Sequence, residues 1–342
     1  MGKYLKPVAA AVTVLLLCVL VAYYVKDVNK SATKGIFAMD TYMEITAYGR
    51  DSEEAVEAAA REIQRLDELL STGLEESEVS GLNQNKTGTL SADTEYLFLR
   101  SLELWRETEG AFDITIYPVM RAWGFDTQVF RVPAEAELQA LCAQVDASGL
   151  AYNEADGTLT LPEGVEIDFG GIAKGYTSSR IARIMREYNI RSAKLNLGGN
   201  VQLVGARPDK SAWRVGIKCP DGTLPYLGVL SVKDKAVVTS GGYERYFEEE
   251  GVIYHHILDP KTGRPAQSGL ISVTIVSADG TLADGLSTAL FVMGKDKAIA
   301  FWRENRDQFD MILLDTENRL YVTEGIAADF TAEGSMQVEM IR

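Results

Sequence analysis

The first regular pattern after the N-terminal apolar run is an alternation of side chains. Phe37, Met39, Thr41, Met43 and Ile45 stand two positions apart. Two residues is the interval at which side chains return to the same face of a strand. This alternation predicts a β-strand with one buried face.

Apolar residues three and four positions apart predict helices in the next two segments. Asp51, with Glu54 three residues later, is typical of a capping box at the start of a helix. A second helix is predicted over 91–105, where Ser91 precedes the first turn and Gly110 follows the last. The apolar stripe of the first helix contains Val56, Ala60, Ile63, Leu66 and Leu70.

The rest of the chain mixes short strand patterns with helices. Helices are predicted from after residue 172 to about 188, over 282–293 and near Ala298, and a final hairpin is predicted around 315–318. Because strand runs follow one another without regular β–α–β alternation, we expect an α+β fold of antiparallel sheets with helices packed outside. The predicted strands are LNLGGNVQLVG, WRVGIK, LGVLSVKDKAVVTSG, YHHILDP and LISVTIVSA.

The N-terminus contains an uncharged apolar run of 18 residues over 8–25, preceded by Lys3 and Lys6. A run of this length is about enough to cross a bilayer as a helix. We therefore predict a cytoplasmic N-terminus (1–7), a transmembrane signal-anchor (8–25), a polar linker (26–35) and an extracytoplasmic remainder (36–342) at the cell membrane.

Two alternatives compete with the anchor. A cleaved signal peptide would need small residues in an A-x-A-like site after the run, and the chain has none there. Lipid attachment at Cys18 would follow a small residue, whereas Leu17 is bulky.

Charge and cysteine content exclude two classes of function. The 342 residues include 49 acidic and 34 basic side chains, and the formal net charge is −15. A strongly acidic chain argues against nucleic acid as a main partner, because phosphate binding needs clustered cations. Three scattered cysteines are too few for a disulfide framework or a zinc site. No GxGxxG follows a strand and no GxxxxGK[ST] occurs, so the common dinucleotide and P-loop sites are absent.

Asp284 and Thr288 stand four positions apart in the segment TLADGLSTALFVMG. On a helix their oxygens project from one face, near the positive end of the helix dipole. A carboxylate and a hydroxyl are ligands suited to Mg²⁺. The alternative is structural: Asp284 caps the helix and Thr288 bonds its own backbone.

The segment IDFGGIAKGY has an Asp at a strand end, two glycines and a helix start. Such a loop lets the backbone approach a phosphate closely, and Lys174 in the first turn could neutralise it. The alternative is a tight strand-to-helix turn with Lys174 in solvent.

The only two histidines lie in YHHILDPKTGRP. In a strand His255 and His256 point to opposite faces, so they cannot share a metal ion, and one of them can serve as an acid or base.

The segment GAFDITIYPVMRAWGF carries aromatic rings that by default belong to the core, while stacking on a ring-shaped ligand is the second interpretation.

Taken together, these segments resemble the ApbE family, the FAD:protein FMN transferases, from about Phe37 to about Gly294. The resemblance implies a membrane-associated enzyme with a T-fold-like α+β fold that binds FAD with Mg²⁺. It also implies that FAD is cleaved, that AMP is released, and that FMN is joined by a phosphoester to a threonine of a target flavoprotein. The matching segments, in the family's order, are MDTYMEI, LLSTGLEESEVSGLN, GAFDITIYPVMRAWGF, IDFGGIAKGY, LNLGGNVQLVG, SGGYERYF, HHILDPKTGRP and ADGLSTALFVMG.

The resemblance also implies roles for single residues. Asp284 and Thr288 match the side-chain ligands of Mg²⁺, and Gly171 matches a backbone carbonyl ligand. His256 matches the family's histidine before the DP turn and is our candidate proton acceptor from the incoming threonine. Positions that bind FAD are matched by Met39, Ala111, Phe112, Asp113, Asp168, Lys174 and Leu258.

One departure from the family's pattern follows the LLST run. Gly73 stands where many members carry a Tyr or Asn, so a side-chain contact to the flavin is missing. Transfer to a protein threonine is our leading hypothesis. Hydrolysis of FAD to FMN and AMP, or flavin binding without turnover at the membrane, are the alternatives.

Overall fold

The computed structural model describes residues 30–334 and 336–342. The predicted anchor at 8–25 lies outside the described residues. Within the described part, no helix combines the length and the apolarity that crossing a bilayer requires.

The strands, labelled β1 to β17 in chain order, are Ser31–Ala38, Thr41–Tyr48, Thr87–Thr89, Ala151–Asn153, Thr158–Thr160, Ser192–Leu197, Asn200–Gly205, Trp213–Lys218, Tyr226–Val232, Ala236–Gly241, Tyr246–Glu249, Val252–His255, Leu270–Ser277, Phe309–Asp315, Arg319–Thr323, Phe330–Ala332 and Gln337–Ile341. The helices, labelled α1 to α9, are Ser52–Leu70, Glu78–Asn85, Ala92–Glu107, Tyr117–Trp123, Glu135–Cys142, Ala173–Glu187, Gly280–Met293, Lys295–Glu304 and Glu324–Ala327. Short 3₁₀ helices occupy Ile114–Ile116 and Ala147–Gly149.

A nine-stranded sheet forms the centre of the molecule, in the order β1-β2-β6-β7-β10-β13-β14-β15-β17. Its neighbouring strands are antiparallel except for β15 and β17, which are parallel. The parallel pair arises because the chain crosses through α9 and β16 before it returns to the sheet edge. The predicted α+β class with mainly antiparallel sheets is confirmed.

Helices α1, α6 and α7 cover one face of this sheet. Ile63 of α1 and Ile181 of α6 pack with Ile45 of β2, while Leu286 of α7 packs with Ile275 of β13. All five side chains are at most 1% exposed. Burying each of them stabilises the fold by about 1.5–3 kcal/mol relative to exposure.

The opposite face of the sheet is covered by a three-stranded sheet in the order β16-β9-β8. Val276 and Ile312 of the central sheet pack here with Leu230 of β9. Their neighbours Ile275 and Met311 belong to the helix-side core. Both faces of the central strands are therefore buried. A shift of one residue would move each side chain to the wrong core, so this burial fixes the register of the strands.

The predicted strand over 37–45 is instead a hairpin. Met39 and Asp40 adopt positive φ angles of 48° and 58° and turn the chain between β1 and β2. As a result Phe37 lies opposite Tyr42, and both side chains are exposed, whereas Ile45 is buried. The alternating pattern of side chains continues through this turn and therefore does not indicate it, since positive φ angles are uncommon in non-glycine residues.

Residues 31–35 of the predicted linker belong to β1, which begins at Ser31 and pairs in full register with β2. Lys34, within the predicted linker, forms an ion pair with Glu57 of α1. The segment therefore belongs to the folded unit from residue 31 onward.

The predicted helices are present with shifted ends. Asp51 and Ser91 occupy N-cap positions, but neither side chain makes a capping hydrogen bond. The capping box predicted for Asp51 and Glu54 is therefore wrong. Helix α3 continues to Glu107, two residues past the predicted end. Beyond the predicted hairpin, α9, β16 and β17 extend the chain. The sequence did not reveal them because they are short and largely exposed, without a regular apolar pattern.

Candidate active site

Two of the predicted site residues, Lys174 and Asp284, lie near the starts of α6 and α7. The main-chain N–H of Gly175 in α6 donates to Asp284 Oδ2 of α7 at 2.7 Å. A Cβ atom on Gly175 would lie 2.2 Å from the carbonyl oxygen of Gly280. Glycine is therefore required at residue 175 by the close approach of the two helices.

Asp284 is a buried carboxylate and not a helix cap. Asp279 caps α7 by accepting from the N–H groups of Thr281 and Leu282, so the structural alternative for Asp284 is wrong. Burial raises the pKa of Asp284, while the positive charge of Lys174 and the hydrogen bond from Gly175 act in the opposite direction.

Polar atoms without partners surround this carboxylate. The amide of Asn200 lies close enough to lower the pKa of Asp284, although it forms no hydrogen bond of normal geometry. Both polar atoms of the Asn200 side chain, and Oε1 of Gln202, are buried and without a hydrogen-bond partner among the described residues. Buried polar groups are rarely left unpaired, so this end of α7 is suited to a polar ligand.

The other two predicted metal ligands are Thr288, on the same helix as Asp284, and Gly171, just before α6. Thr288 is one turn after Asp284 on α7, is half-buried, and its hydroxyl lies 3.3 Å from Ser240 Oγ. Gly171 lies two residues before α6, where a Cβ atom would be 3.0 Å from the ring of Phe112. Oxygen is the only donor type that these three residues offer.

Lys174 lies in the first turn of α6, and its Nζ is 3.4 Å from the carbonyl oxygen of Gly170. Its charge acts on Asp168, Asp284 and His256, and therefore links three predicted site residues. Burial raises the pKa of Asp168, and the main-chain N–H of Gly170 and the charge of Lys174 oppose the rise. A lysine in the first helical turn opposes the helix dipole, which favours an anionic ligand beside it.

His256 directly follows β12 and is held by the carbonyl of Arg245. This oxygen accepts from the main-chain N–H of His256 at 3.1 Å and lies 3.0 Å from its Nδ1. A carbonyl only accepts, so Nδ1 carries the proton and Nε2 keeps a free lone pair. Burial, together with the charges of Arg245 and Lys174, lowers the pKa of His256 to about 3, so the ring is neutral at pH 7.

The two histidines have different surroundings. His255 makes an edge contact with Phe291 of α7, with ring centroids 5.6 Å apart. His256 instead makes an edge contact with Phe125 at 6.4 Å. His255 therefore packs against the core, whereas His256 is the histidine on which the charges of Arg245 and Lys174 act.

The GAFD segment is placed beside the cluster by packing. Ala111 and Phe112 are buried, and the ring of Phe112 lies against Gly171. The carboxylate of Asp113 accepts from Thr115 N at 2.8 Å and from Ala147 N at 3.2 Å. Asp113 thus fixes the local backbone, and its side chain is not among the groups that converge on Lys174.

Met39 and Leu258, the remaining predicted FAD contacts, lie in different parts of the fold. The main-chain N–H of Met39 donates to Asp67 Oδ1 at 3.0 Å, and its sulfur accepts from Thr177 of α6 at 3.8 Å. Leu258 is buried in the aromatic cluster formed around Trp123 and Phe125. The predicted core interpretation of these aromatic rings is confirmed.

Gly73 lies in an exposed turn, and its N–H donates to Ser71 Oγ at 3.1 Å. The nearest atom to a Cβ there would be Ser71 Oγ at 3.7 Å. Nothing in this turn therefore excludes a side chain.

Sequence reasoning missed Asn200 and Arg245, which lie in LNLGGNVQLVG and SGGYERYF. Both segments contributed to the resemblance, but neither offered a local chemical reason to select these residues. A separate cavity of about 460 Å³, lined in part by Trp105, Cys142 and Lys261, contains none of the converging charged groups.

Comparison with known proteins identifies the family. The sequence pattern of the ApbE family matches residues 39–313. A FAD:protein FMN transferase of Klebsiella pneumoniae is 34% identical over 262 residues, which cover 75% of this chain and 80% of that protein. A FAD:protein FMN transferase of Treponema pallidum is 31% identical over 309 residues, which cover 84% and 85%.

Solved structures show the same fold. The ApbE protein of Thermotoga maritima superposes with a TM-score of 0.82 at 31% identity, covering 88% of this chain and 99% of that one. The flavin transferase ApbE of Vibrio cholerae superposes with a TM-score of 0.79 at 27% identity, with the same coverage. By sequence and by fold, this chain belongs to the ApbE family.

Proposed function

We propose that this ApbE-family flavin transferase depends on Mg²⁺, cleaves FAD, and joins FMN through a phosphoester bond to a threonine of a target flavoprotein, with release of AMP. The observation that supports the proposal best is the convergence of a neutral histidine, two carboxylates and Lys174 at the starts of α6 and α7. This set provides a base, a charge for phosphate and an oxygen ligand for a cation in one place.

The residues present fit a hydrated Mg²⁺. Asp284 supplies a charge, and Thr288 and the Gly171 carbonyl supply neutral oxygens, which are the donors that Mg²⁺ prefers. The unpaired amide of Asn200 offers a partner to a metal-bound water. Across the described residues no group of three His, Cys, Asp or Glu side chains could hold an ion, so water and substrate phosphate would complete the coordination. When bound, the ion supplies charge neutralisation at the pyrophosphate.

His256 supplies an unprotonated nitrogen for the proton transfer. Its Nε2 lone pair can accept the proton of a threonine hydroxyl while the Arg245 carbonyl holds Nδ1–H. The hydroxyl oxygen then attacks the phosphorus of the FMN half. The bond from this phosphorus to the bridging oxygen breaks, and its electron pair leaves with AMP. Lys174 would stabilise the negative charge of the phosphate oxygens.

The proposal is tested with the full-length protein, FAD, Mg²⁺ and purified flavoprotein domains that contain threonine. Intact-mass measurement should show one domain that gains a single FMN while AMP appears in equal amount. If water replaces the threonine, only free FMN and AMP appear, and the chain is a FAD pyrophosphatase. FAD bound without any product would identify a flavin-binding protein and contradict both enzymatic functions.

The proposed location follows from the sequence alone. The apolar run at 8–25, with Lys3 and Lys6 before it, supports an anchor in the cell membrane with the catalytic part outside the cytoplasm. Protease added to intact spheroplasts should digest the catalytic part. Its complete protection would contradict the proposed orientation.

A further inference from the structure

Arg245 contacts His256 through its main-chain carbonyl, and most N–H donors of its side chain remain available to a ligand. It lies just before β11, and its carbonyl fixes the imidazole of His256. Its guanidinium donates from Nη2 to the carbonyl oxygen of Phe125 at 2.7 Å. A guanidinium has five N–H donors, and no carboxylate among the described residues forms an ion pair with this one.

The neighbouring carboxylates are satisfied in other ways. Asp284 accepts from the main-chain N–H of Gly175, and Asp168 interacts with the main-chain N–H groups of Gly170 and Phe169. The charges of both Arg245 and Lys174 nevertheless act on Asp168. Lys174 and Arg245 therefore act on these carboxylates through their charge, and neither forms an ion pair among the described residues.

The charge of the proposed substrate indicates what these cations bind. Lys174 and Arg245 both act on Asp168, and FAD would bring a pyrophosphate with two negative charges to the same place. Without Arg245 the site would lose one of these two positive charges, at the atoms where the reaction adds negative charge.

We infer that the guanidinium of Arg245 binds a non-bridging oxygen of the FMN-side phosphate of FAD, next to the base His256. The inference rests on the proposed function, because His256 must lie beside the phosphorus that the threonine attacks. A planar fork of N–H donors matches phosphate oxygens better than a point charge does. Arg245 thus acts both in FAD binding and on the charge that develops during transfer.

The test compares Arg245→Gln with Arg264→Gln in the full-length protein. Arg264 is the matched control. It lies in the turn after β12 and forms an ion pair with Glu135 of α5. Fluorescence titrations with FAD and with riboflavin separate phosphate binding from flavin binding without requiring turnover. We expect Arg245→Gln to weaken FAD binding about 10-fold or more and to leave riboflavin binding unchanged. We also expect it to lower FAD turnover about 10²- to 10³-fold, as for loss of a donor to a developing charge.

Equal losses for FAD and riboflavin, or a variant that behaves like Arg264→Gln, would overturn the assignment. Arg245→Lys keeps the charge and should bind FAD with an affinity between those of the wild type and Arg245→Gln. If Arg245→Gln does not fold, the Lys variant must still lose FAD affinity selectively over riboflavin. If the wild type binds FAD but does not turn it over, the proposed function fails while the binding test of Arg245 still stands.

Discussion

Replacement of Gly175 by alanine tests how closely α6 and α7 must approach. The new methyl group would lie 2.2 Å from the carbonyl oxygen of Gly280 and 2.5 Å from Cβ of Asp284. Neither contact can be relieved by moving a flexible side-chain end. The helices must separate, which also stretches the 2.7 Å hydrogen bond from Gly175 N to Asp284.

The expected free energy combines opposing effects. Overpacking costs about 1–3 kcal/mol, and weakening a hydrogen bond to a charged group costs about 1.5–3 kcal/mol if the bond is lost. Alanine regains about 1 kcal/mol of helix propensity. We therefore expect Gly175→Ala to lower the free energy of unfolding by about 3 kcal/mol.

Urea unfolding measures this change, with Gly81→Ala as the matched control. Gly81 lies inside α2, and a Cβ atom there would meet nothing within 4 Å. The control should be stabilised by up to about 1 kcal/mol. A Gly175→Ala protein that unfolds at the same or higher urea concentration than the wild type would refute the helix contact described above.

Two further predictions concern His256. His256→Ala should lower the rate of FMN transfer about 10²- to 10⁴-fold and leave FAD binding unchanged. Steady-state kinetics and FAD titration measure the two effects, and an unchanged rate would show that His256 is not the base. Acid should also destabilise the fold through this ring. In the unfolded chain the imidazole binds a proton below its ordinary pKa, whereas in the folded protein the pKa of His256 is about 3. Stability is therefore lost as pH falls from 6.5, by about 3 kcal/mol near pH 4.5. Urea melts should show a shallower pH dependence for His256→Gln than for the wild type, and equal slopes would contradict the depressed pKa.

The sequence reveals most clearly those features that local patterns determine. Helix α1 could be predicted because its apolar residues recur every three or four positions and are buried. Asp284 and Thr288 could be selected together because one helical turn separates them. The antiparallel class followed from the succession of short strands.

Contacts between distant segments could not be predicted in this way. Gly175 and Asp284 are 109 residues apart in sequence, and Arg245 and Phe125 are 120 apart. Local spacing contains no information on which of many arginines folds back onto the site. The turn at Met39 was missed for a related reason, since tertiary pairing of β1 with β2 imposes its backbone conformation.

Asp284→Asn provides the most direct test of the site as a metal-dependent catalytic centre. The amide keeps the size of the side chain and an oxygen that can accept from Gly175, but it removes the only charge among the proposed metal ligands. The measurement is FAD turnover as a function of Mg²⁺ concentration, with thermal melting of the same samples to establish that the variant is folded. We predict a folded protein whose turnover falls at least about 100-fold at every Mg²⁺ concentration. A folded variant with near-normal turnover and an unchanged Mg²⁺ dependence would contradict the assignment of Asp284 as the metal ligand.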